Sequence, residues 1–228
     1  MTPSLKWIPL ESNPDVISNL MLKFGVEKDV ICVDVYGFDK ELLDMLPKPC
    51  YALILCFPEC QKVKEMMAAV YDDHVKSNGS IPENVFFMKQ KISNACGTFA
   101  LIHALANNKN KIDLGNGPFK KWLEKADRLE ADLRSDSLQE NAELAEAHEV
   151  CAVSGETNSE VEEVEHHFIS YVNCDGILYE MDSSRDFPRA CGPTNEENFL
   201  QDAGKVCKEL MLMMDSISFS ALAIVRKC

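Results

Sequence analysis

The 228-residue sequence lacks any run of about 20 apolar side chains, the length that a membrane-spanning helix needs. Its first residues also lack the basic and apolar regions of a signal peptide. We therefore expect no membrane partner and a cytoplasmic chain, with the nucleus as a second location. Positive charge is scarce as well, since 23 Lys and Arg stand against 37 Asp and Glu, for a net charge of −14. This balance argues against nucleic acid as a partner, because phosphates are bound by Lys and Arg.

Cysteine is abundant, with ten residues, but paired cysteine motifs are missing. The sequence contains no C-x-x-C pair, and Cys56 and Cys60 have no second pair of ligands that would complete a zinc site. In a reducing compartment, such cysteines are mostly small buried hydrophobic residues. We therefore expect no disulfide framework, no metal and no cofactor.

Apolar periodicity predicts helices and strands that alternate along the whole chain. The predicted helices cover residues 13–24, 40–46, 60–76 and 194–214, with a buried helix that begins near Cys96 and helical pieces within 118–150. The predicted strands cover residues 29–38, 50–57, 84–90, 166–174, 177–184 and 217–225, of which 50–57 has the continuous apolar run of a central strand. Such interleaving predicts a single α/β or α+β domain over residues 1–228, with a sheet that is partly antiparallel.

An acidic segment follows the helical pieces. Residues 141–165 contain eight Glu and no Lys or Arg, and residues 151–165 show little periodicity. We interpret 151–165 as a long exposed loop, which in a compact domain is usually functional or disordered. By default the glutamates form a solvated surface, and a surface that attracts a basic partner is the alternative.

Cys96 lies where the buried helix begins, in the sequence Ala95-Cys96-Gly97-Thr98. Free backbone N–H groups and the positive end of the helix dipole favour a thiolate at such a position. Gly97 would let another chain segment approach closely. A packed, inert cysteine is nevertheless the more common outcome for a lone cysteine at a helix start, so a chemical role requires a base nearby.

Position in the chain separates the five histidines as candidates for this base. His74 lies on a polar helix face, and His148 lies in the acidic segment. His103 shares the helix of Cys96 but lies two turns further on, about 10 Å away. His166 and His167 remain, at the open end of a predicted hairpin.

The hairpin register distinguishes His166 from His167. If Asp175-Gly176 form a two-residue turn, Ile169 faces Asp182, which makes Asp182 a diagonal neighbour of His167 on the same face of the ladder. His166 points to the opposite face. The alternative is an ordinary surface hairpin with a His and an Asp near its open end.

Gln90 lies six positions before Cys96, at the end of a predicted strand. Cysteine catalysis needs a thiolate, a histidine, a group that fixes the imidazole and an oxyanion hole. The side-chain amide of Gln90 and the backbone N–H of Cys96 could form that hole. Spacing alone is a weak indication, because a glutamine at a strand end is usually part of the polar surface.

Five stretches of the sequence, in order, resemble the ubiquitin C-terminal hydrolases, small cysteine deubiquitinases of the papain-like superfamily. They are WIPLESNPDV, VDVYGFD, FMKQKISNACGTFALIHALANN, HHFISYVNCDGILYEMD and CGPTNEENFLQDAGKVCKELM, and they cover essentially the whole chain. The resemblance is to the short members of the family. It implies that Cys96 is the nucleophile, His167 the general base and acid, Asp182 the orienting carboxylate and Gln90 the oxyanion donor.

The resemblance also implies a fold, an activity and a partner. The fold has a central, mainly antiparallel sheet flanked by helices and a knotted backbone, with a loop at residues 147–166 that crosses over the active site. The activity is hydrolysis of small or unfolded adducts from the C-terminal glycine of ubiquitin through a thioester, by a monomer, with activity on related modifiers left open. The residues expected to contact ubiquitin are Pro9, Leu10, Glu11, Ser12, Asn13, Ser154, Gly155, Glu156, Thr157, Asn158, Ser218, Phe219 and Ser220.

Two positions depart from the family pattern. Ser183 follows Asp182 where the family usually has Gly, and Cys191 precedes Gly192 where the family usually has His. We expect neither residue to have a chemical role, and we expect Ser183 at most to stiffen the turn after Asp182.

Two other classes of protein remain as alternatives. A ubiquitin-binding module without turnover is one, and the complete set of four catalytic residue types argues against it. A thiol-redox protein is the other, and it would need a resolving cysteine near Cys96, which the sequence does not identify.

Overall fold

The computed structural model describes residues 5–75, 81–155, 166–214 and 218–227. The helices are α1 (Pro14–Phe24), α2 (Lys40–Leu43), α3 (Gln61–Val75), α4 (Cys96–Ala106), α5 (Pro118–Ala126), α6 (Ala131–Gln139), α7 (Ala142–Val153) and α8 (Phe199–Met214). The strands are β1 (Val30–Asp34), β2 (Cys50–Pro58), β3 (His166–Cys174), β4 (Ile177–Met181), β5 (Arg189–Pro193) and β6 (Ser220–Arg226). None of the helices in these ranges is long and apolar enough to cross a membrane.

The six strands form one sheet in the order β1-β6-β2-β3-β4-β5, and each neighbouring pair is antiparallel. β2 and β3 occupy the middle of the sheet. β2 is buried from Tyr51 to Phe57, as its continuous apolar run predicts. The expected single sheet of mainly antiparallel strands with flanking helices is therefore confirmed.

Helices cover both faces of this sheet. Successive side chains of a strand point to opposite faces, so alternate residues of β2 enter two separate hydrophobic clusters. Ile54 and Cys56 pack among residues of α1, α4, α5, α6 and α7, whereas Leu55 and Phe57 pack among residues of α2, α3 and α8. Every residue of α4 is buried, which makes α4 the central helix of the first cluster.

Local signals set the ends of α1 as the sequence predicts. The Asn13 side chain accepts hydrogen bonds from the backbone N–H groups of Asp15 (2.9 Å) and Val16 (3.4 Å), and Pro14 opens the helix. Gly25 ends the helix with a φ of 95°, a left-handed conformation that favours glycine. These caps hold the chain that leads into α1, where several of the predicted ubiquitin contacts lie.

The β3–β4 hairpin has the predicted register. Asp175 and Gly176 both have positive φ, 49° and 82°, as a two-residue type I′ turn requires. The pairs run from Cys174–Ile177 to Ser170–Met181 without a shift. This register brings the first residues of β3 beside the residues that follow β4.

Residues 84–90 are not a strand, which corrects one prediction. Val85 to Met88 are buried, but two N–H groups of this segment bond to side chains of α4 and the residue after it instead of to a neighbouring strand. Phe86 N donates to Asn107 Oδ1 (2.8 Å), and Met88 N donates to His103 Nε2 (3.1 Å). The apolar pattern correctly indicated burial and wrongly indicated sheet pairing.

Residues 147–153 are helical, which corrects the predicted boundaries of the crossover loop. They form the second half of α7, and Ala147, His148, Cys151 and Ala152 face the core. Together with Leu144 these residues follow the spacing of a buried helix face, which the many glutamates of the segment obscured. Residues 156–165, where most of the predicted loop falls, lie outside the described residues.

Candidate active site

Cys96 is the first residue of α4 and is 7 % exposed. The preceding residue, Ala95, has a methyl side chain that cannot accept a hydrogen bond from the first turn of the helix. The backbone N–H groups at the start of α4, and the positive end of its dipole, are therefore directed at the region of the sulfur. This is the placement that the sequence predicted for the nucleophile.

His167 and Asp182 form a buried pair at the open end of the β3–β4 hairpin. His167 Nε2 donates to Asp182 Oδ1 at 2.7 Å, and the two residues are 6 % and 1 % exposed. Ser184 donates to the same oxygen from its backbone N (2.9 Å) and its Oγ (2.7 Å), while Arg185 Nε donates to Asp182 Oδ2 (3.2 Å). The carboxylate is thus fixed from several sides, and it in turn fixes the imidazole.

The second nitrogen of His167 is left for Cys96. Because Nε2 bonds to Asp182, Nδ1 is the ring nitrogen of His167 that remains available to the Cys96 side chain. Cys96, His167 and Gln90 line one cleft of about 390 Å³. The structure therefore brings together all four residues for which catalytic roles were predicted.

The electrostatics of the pair favour its charged form. Burial is the largest single influence on His167 and would lower its pKa, but the charge of Asp182 and the hydrogen bonds to Asp182 and Cys96 together hold that pKa well above its usual value. Burial would likewise raise the pKa of Asp182, but the charge and hydrogen bond of His167, with the bonds from Ser184, hold it well below its usual range. An imidazolium beside the sulfur is the partner that a thiolate needs.

Gln90 lies beside Cys96 with both ends of its side-chain amide in use. Its Nε2 donates to the backbone oxygen of Ile92 at 2.9 Å, and its Oε1 accepts from Ser183 Oγ at 3.0 Å. Its backbone N also donates to Ser183 O at 2.7 Å. Ser183, for which at most a stiffening of the turn after Asp182 was expected, therefore also contacts Gln90 through its side chain and its backbone.

Two of the other histidines are buried and neutral. Burial, as the main cause, lowers the pKa of His103 to about 3 and that of His148 to about 4. His148 bonds to Thr98 Oγ1 and Ile8 O, both at 2.7 Å, and so joins α7 to α4 and to the N-terminal segment. No pattern in the sequence indicated that structural role. His166 is exposed, as expected, and the prediction for His74 falls on a side chain outside the described ones.

The predicted ubiquitin contacts come from three segments that lie side by side. Ser12 Oγ and Ser220 Oγ are 2.7 Å apart, which joins the N-terminal segment to the start of β6. A methyl group added at Gly155 would lie 2.6 Å from Glu11 Oε2, so the end of the 81–155 segment also lies against the N-terminal one.

Individual members of this set differ in what they offer a partner. Leu10 is only 6 % exposed and packs against Gly97, which gives it a packing role, and its contact with ubiquitin stays a prediction. Ser154 and Ser218 are exposed, and Pro9 and Phe219 are half-buried. Glu156, Thr157 and Asn158 lie outside the described residues.

Among the described cysteines, Cys96 is the one that lines this cleft. The nine cysteines in the described ranges are all free, without disulfides. Burial raises the pKa of the Cys56 thiol to about 12, which keeps it protonated and a poor nucleophile. Cys191 lies on β5, and its Sγ donates to Arg189 O (3.6 Å). In the described residues, no three His, Cys, Asp or Glu side chains are grouped to hold a metal ion.

A sulfur at a helix start, with an imidazole whose far nitrogen is bound by a carboxylate, is an arrangement used for nucleophilic attack on carbonyl carbon. A side-chain amide beside the sulfur can donate a hydrogen bond to an oxyanion that develops there. Fold and cleft together therefore define a cysteine hydrolase. The chain belongs to a particular family of this class: the model of ubiquitin carboxyl-terminal hydrolase, family 1, matches its residues 7–212.

Similar proteins agree with this assignment. A ubiquitin carboxyl-terminal hydrolase of Drosophila melanogaster is 42 % identical over 223 residues, which are 96 % of this chain and 97 % of that protein. The rat ubiquitin carboxyl-terminal hydrolase isozyme L1 is 34 % identical over 96 % of this chain and 97 % of its own length. The crystal structure of the Trichinella spiralis UCH37 catalytic domain, bound to ubiquitin vinyl methyl ester, has the same fold, with a TM-score of 0.77 at 23 % identity over 97 % of this chain and 96 % of that one. The family resemblance and the class of cysteine-dependent ubiquitin hydrolase are thus confirmed, while the roles of single residues stay predictions.

Proposed function

We propose that this protein hydrolyses bonds to the carboxyl group of the C-terminal glycine of ubiquitin, through a thioester on Cys96. The observation that carries the proposal is the meeting of Cys96, Gln90 and the buried His167–Asp182 pair in one cleft. Family membership supplies the substrate class, and the arrangement of the cleft supplies the chemistry.

In the reactive form of the site, the Cys96 thiol proton is already on Nδ1 of His167, which leaves a thiolate beside an imidazolium. The sulfur then attacks the glycine carbonyl carbon, and the carbonyl oxygen becomes an oxyanion that accepts hydrogen bonds from Gln90 Nε2 and the Cys96 backbone N–H. When the bond to the leaving group breaks, His167 returns its proton to the departing nitrogen or oxygen. The product of this half-reaction is a thioester between Cys96 and ubiquitin.

Deacylation uses the same groups in reverse order. His167 accepts a proton from water, and the resulting hydroxide equivalent attacks the thioester carbonyl. The tetrahedral intermediate expels the Cys96 sulfur, which is reprotonated from His167. Asp182 remains ionised throughout, because its role is to hold the imidazole in place and to stabilise its charged form.

Ubiquitin as the partner is supported by the names of the relatives and by the inhibitor held by the similar solved structure. The segments that include Gly155 and Ser220 each lie against the N-terminal segment of Glu11 and Ser12, so the expected ubiquitin contacts are grouped together. The net charge of −14 is complementary to a basic partner. Preference for small or unfolded adducts is part of the proposal and rests on the family resemblance.

The test is hydrolysis of a fluorogenic amide at the C-terminus of ubiquitin by wild type, Cys96→Ala and Cys60→Ala. Cys60 is an exposed cysteine, so it is the matched control for general thiol effects. Cys96→Ala should abolish turnover and keep ubiquitin binding, whereas Cys60→Ala should behave as wild type. Ubiquitin with a C-terminal electrophile should label Cys96 alone.

Two results would contradict the proposal in different ways. Binding of ubiquitin by wild type without any turnover would indicate the binding-module alternative. Labelling that peptide mapping places on a cysteine other than Cys96 would refute the assignment of the nucleophile.

A further inference from the structure

The hydroxyl of Ser183 contacts Gln90, a residue that lines the cleft. The family resemblance does not explain this hydroxyl, because the family usually has glycine at this position. Ser183 is 1 % exposed, and its Oγ donates to Gln90 Oε1 at 3.0 Å. The backbones of these two residues are also hydrogen-bonded, because Gln90 N donates to Ser183 O at 2.7 Å. A glycine at this position could form the backbone contact but not the side-chain one.

The contacts of Gln90 leave one orientation for its amide group. Ile92 O is a carbonyl oxygen and can only accept, so the amide nitrogen must face it, at 2.9 Å. The amide oxygen then faces Ser183, whose hydroxyl serves as the donor. Because Nε2 carries two protons and Ile92 takes one, the second is free for the cleft that Gln90 shares with Cys96.

We infer that Ser183 is a positioning residue that holds the Gln90 amide with its free proton toward the oxyanion formed at Cys96. This inference rests on the proposed function, because only an oxyanion intermediate gives the orientation of the amide a chemical consequence. Without the hydroxyl, Gln90 Oε1 loses its donor, and the bond to Ile92 O is the one remaining restraint on a terminal torsion that has a broad, two-fold preference. The amide would then spend time turned away from the oxyanion, or with its oxygen toward it.

Substitution of Ser183 can isolate this effect, since the backbone contact between residues 90 and 183 does not depend on the side chain. Ser183→Ala should lower kcat for the fluorogenic ubiquitin substrate about threefold to tenfold, the worth of one hydrogen bond. KM and the affinity for ubiquitin should not change. Ser183→Gly should give the same loss, and Ser183→Thr, which keeps the hydroxyl, should restore most of kcat. Thermal unfolding of each variant verifies that it is folded.

A double-mutant cycle with Gln90 distinguishes positioning from a general structural effect. Gln90→Ala should lower kcat about 100-fold or more, as the loss of an oxyanion donor does. In the Gln90→Ala background, Ser183→Ala should have no further effect, because the group that it positions is gone.

The neighbouring serine is a matched comparison. Ser184 Oγ donates to Asp182 Oδ1 at 2.7 Å, so Ser184→Ala should shift the pH profile of kcat through the His167–Asp182 pair. Ser183→Ala should lower kcat by the same factor at each pH and leave the shape of the profile unchanged.

The outcomes separate this inference from the proposed function. Wild-type kcat in Ser183→Ala, an equal loss in the Gln90→Ala background or a shifted pH profile would each overturn the role of Ser183 alone. Absence of hydrolysis by wild type would refute the proposed function, and this inference with it.

Discussion

Replacement of His167 by Ala, with His166→Ala beside it, tests the geometry of the hairpin most directly. The two residues are adjacent in β3, but His167 is buried against Asp182 whereas His166 is exposed. Proton transfer by a positioned side chain contributes about 100-fold to 10,000-fold to a rate. We therefore expect His167→Ala to lower kcat by at least about 100-fold in the fluorogenic ubiquitin assay, since both half-reactions use this imidazole.

The loss of stability in His167→Ala should be smaller than for most broken buried ion pairs. Removing one partner of such a pair typically costs about 3 to 5 kcal/mol, because a bare charge is left behind. Asp182 would keep its bonds from Ser184 N, Ser184 Oγ and Arg185 Nε. We therefore expect urea unfolding to show that His167→Ala lowers the free energy of unfolding by about 1.5 to 3 kcal/mol, the contribution of one hydrogen bond to a charged group.

The pH dependence of this stability loss has a defined sign. The raised pKa of His167 gives a contribution that is complete below its unfolded value of about 6.5 and is lost as the pH rises through the folded value. The lowered pKa of Asp182 gives a contribution that is complete above about 3.9 and is lost as the pH falls through the folded value. The difference between wild type and His167→Ala should therefore be largest between about pH 4 and 6.5.

The control variant decides whether this reasoning holds. His166→Ala should lose no more than about threefold in kcat and about 0.5 kcal/mol in stability, as exposed substitutions do. Equal losses of kcat in the two variants would mean that the hairpin does not separate the two histidines to opposite faces. A stability difference that is flat from pH 4 to 9 would mean that the His167–Asp182 pair is not ionised in the folded protein.

Two further predictions concern buried polar groups outside the cleft. His148 has a lowered folded-state pKa, so its own contribution to the stability of wild type should fall by up to about 3 kcal/mol as the pH falls from about 6.5 toward 4. His148→Gln, which can keep the bonds to Thr98 and Ile8, should make the urea-unfolding free energy less dependent on pH in that range, and an unchanged slope would contradict this. Arg189 bonds to both carboxylate oxygens of the buried Glu180 (3.0 and 2.7 Å), so Arg189→Met should cost about 3 to 5 kcal/mol. The Arg189→Met/Glu180→Leu double variant should recover much of that loss, and a double variant as unstable as Arg189→Met would refute the ion-pair explanation.

Local sequence patterns predicted the parts of the site that depend on local structure. The Asp175-Gly176 turn fixed the pairing of β3 with β4, and this pairing placed His167 near Asp182 without any information from the rest of the chain. The helical periodicity after Cys96 placed the cysteine at a helix start. In each case the determining contacts join residues within about one hairpin or a few helical turns, where side-chain spacing follows from backbone geometry.

The patterns failed where one signal had two physical causes. Residues 84–90 are apolar because they are buried, but their backbone groups are satisfied by Asn107 and His103 instead of a strand. Residues 147–153 fall within the loop that the family resemblance implies, yet a stripe of small and apolar residues is enough to bury one face of α7. The composition of a segment counts its exposed and its buried residues together. It does not show which of the two sets determines whether the segment is a helix, a strand or a loop.

The contact between Ser183 and Gln90 shows what sequence comparison leaves out even when the family is known. The two residues are 93 positions apart and meet because β4 ends beside the segment that leads into α4. In the family pattern, Ser183 is only a serine where glycine is usual. The pattern does not predict which residue the serine side chain contacts. Its partner follows from three-dimensional geometry: the hydroxyl is buried, it needs an acceptor, and the acceptor within reach is the amide oxygen of the predicted oxyanion donor. Positions where a chain differs from its family, next to residues that the family shares, are therefore where a structure adds most to a functional assignment.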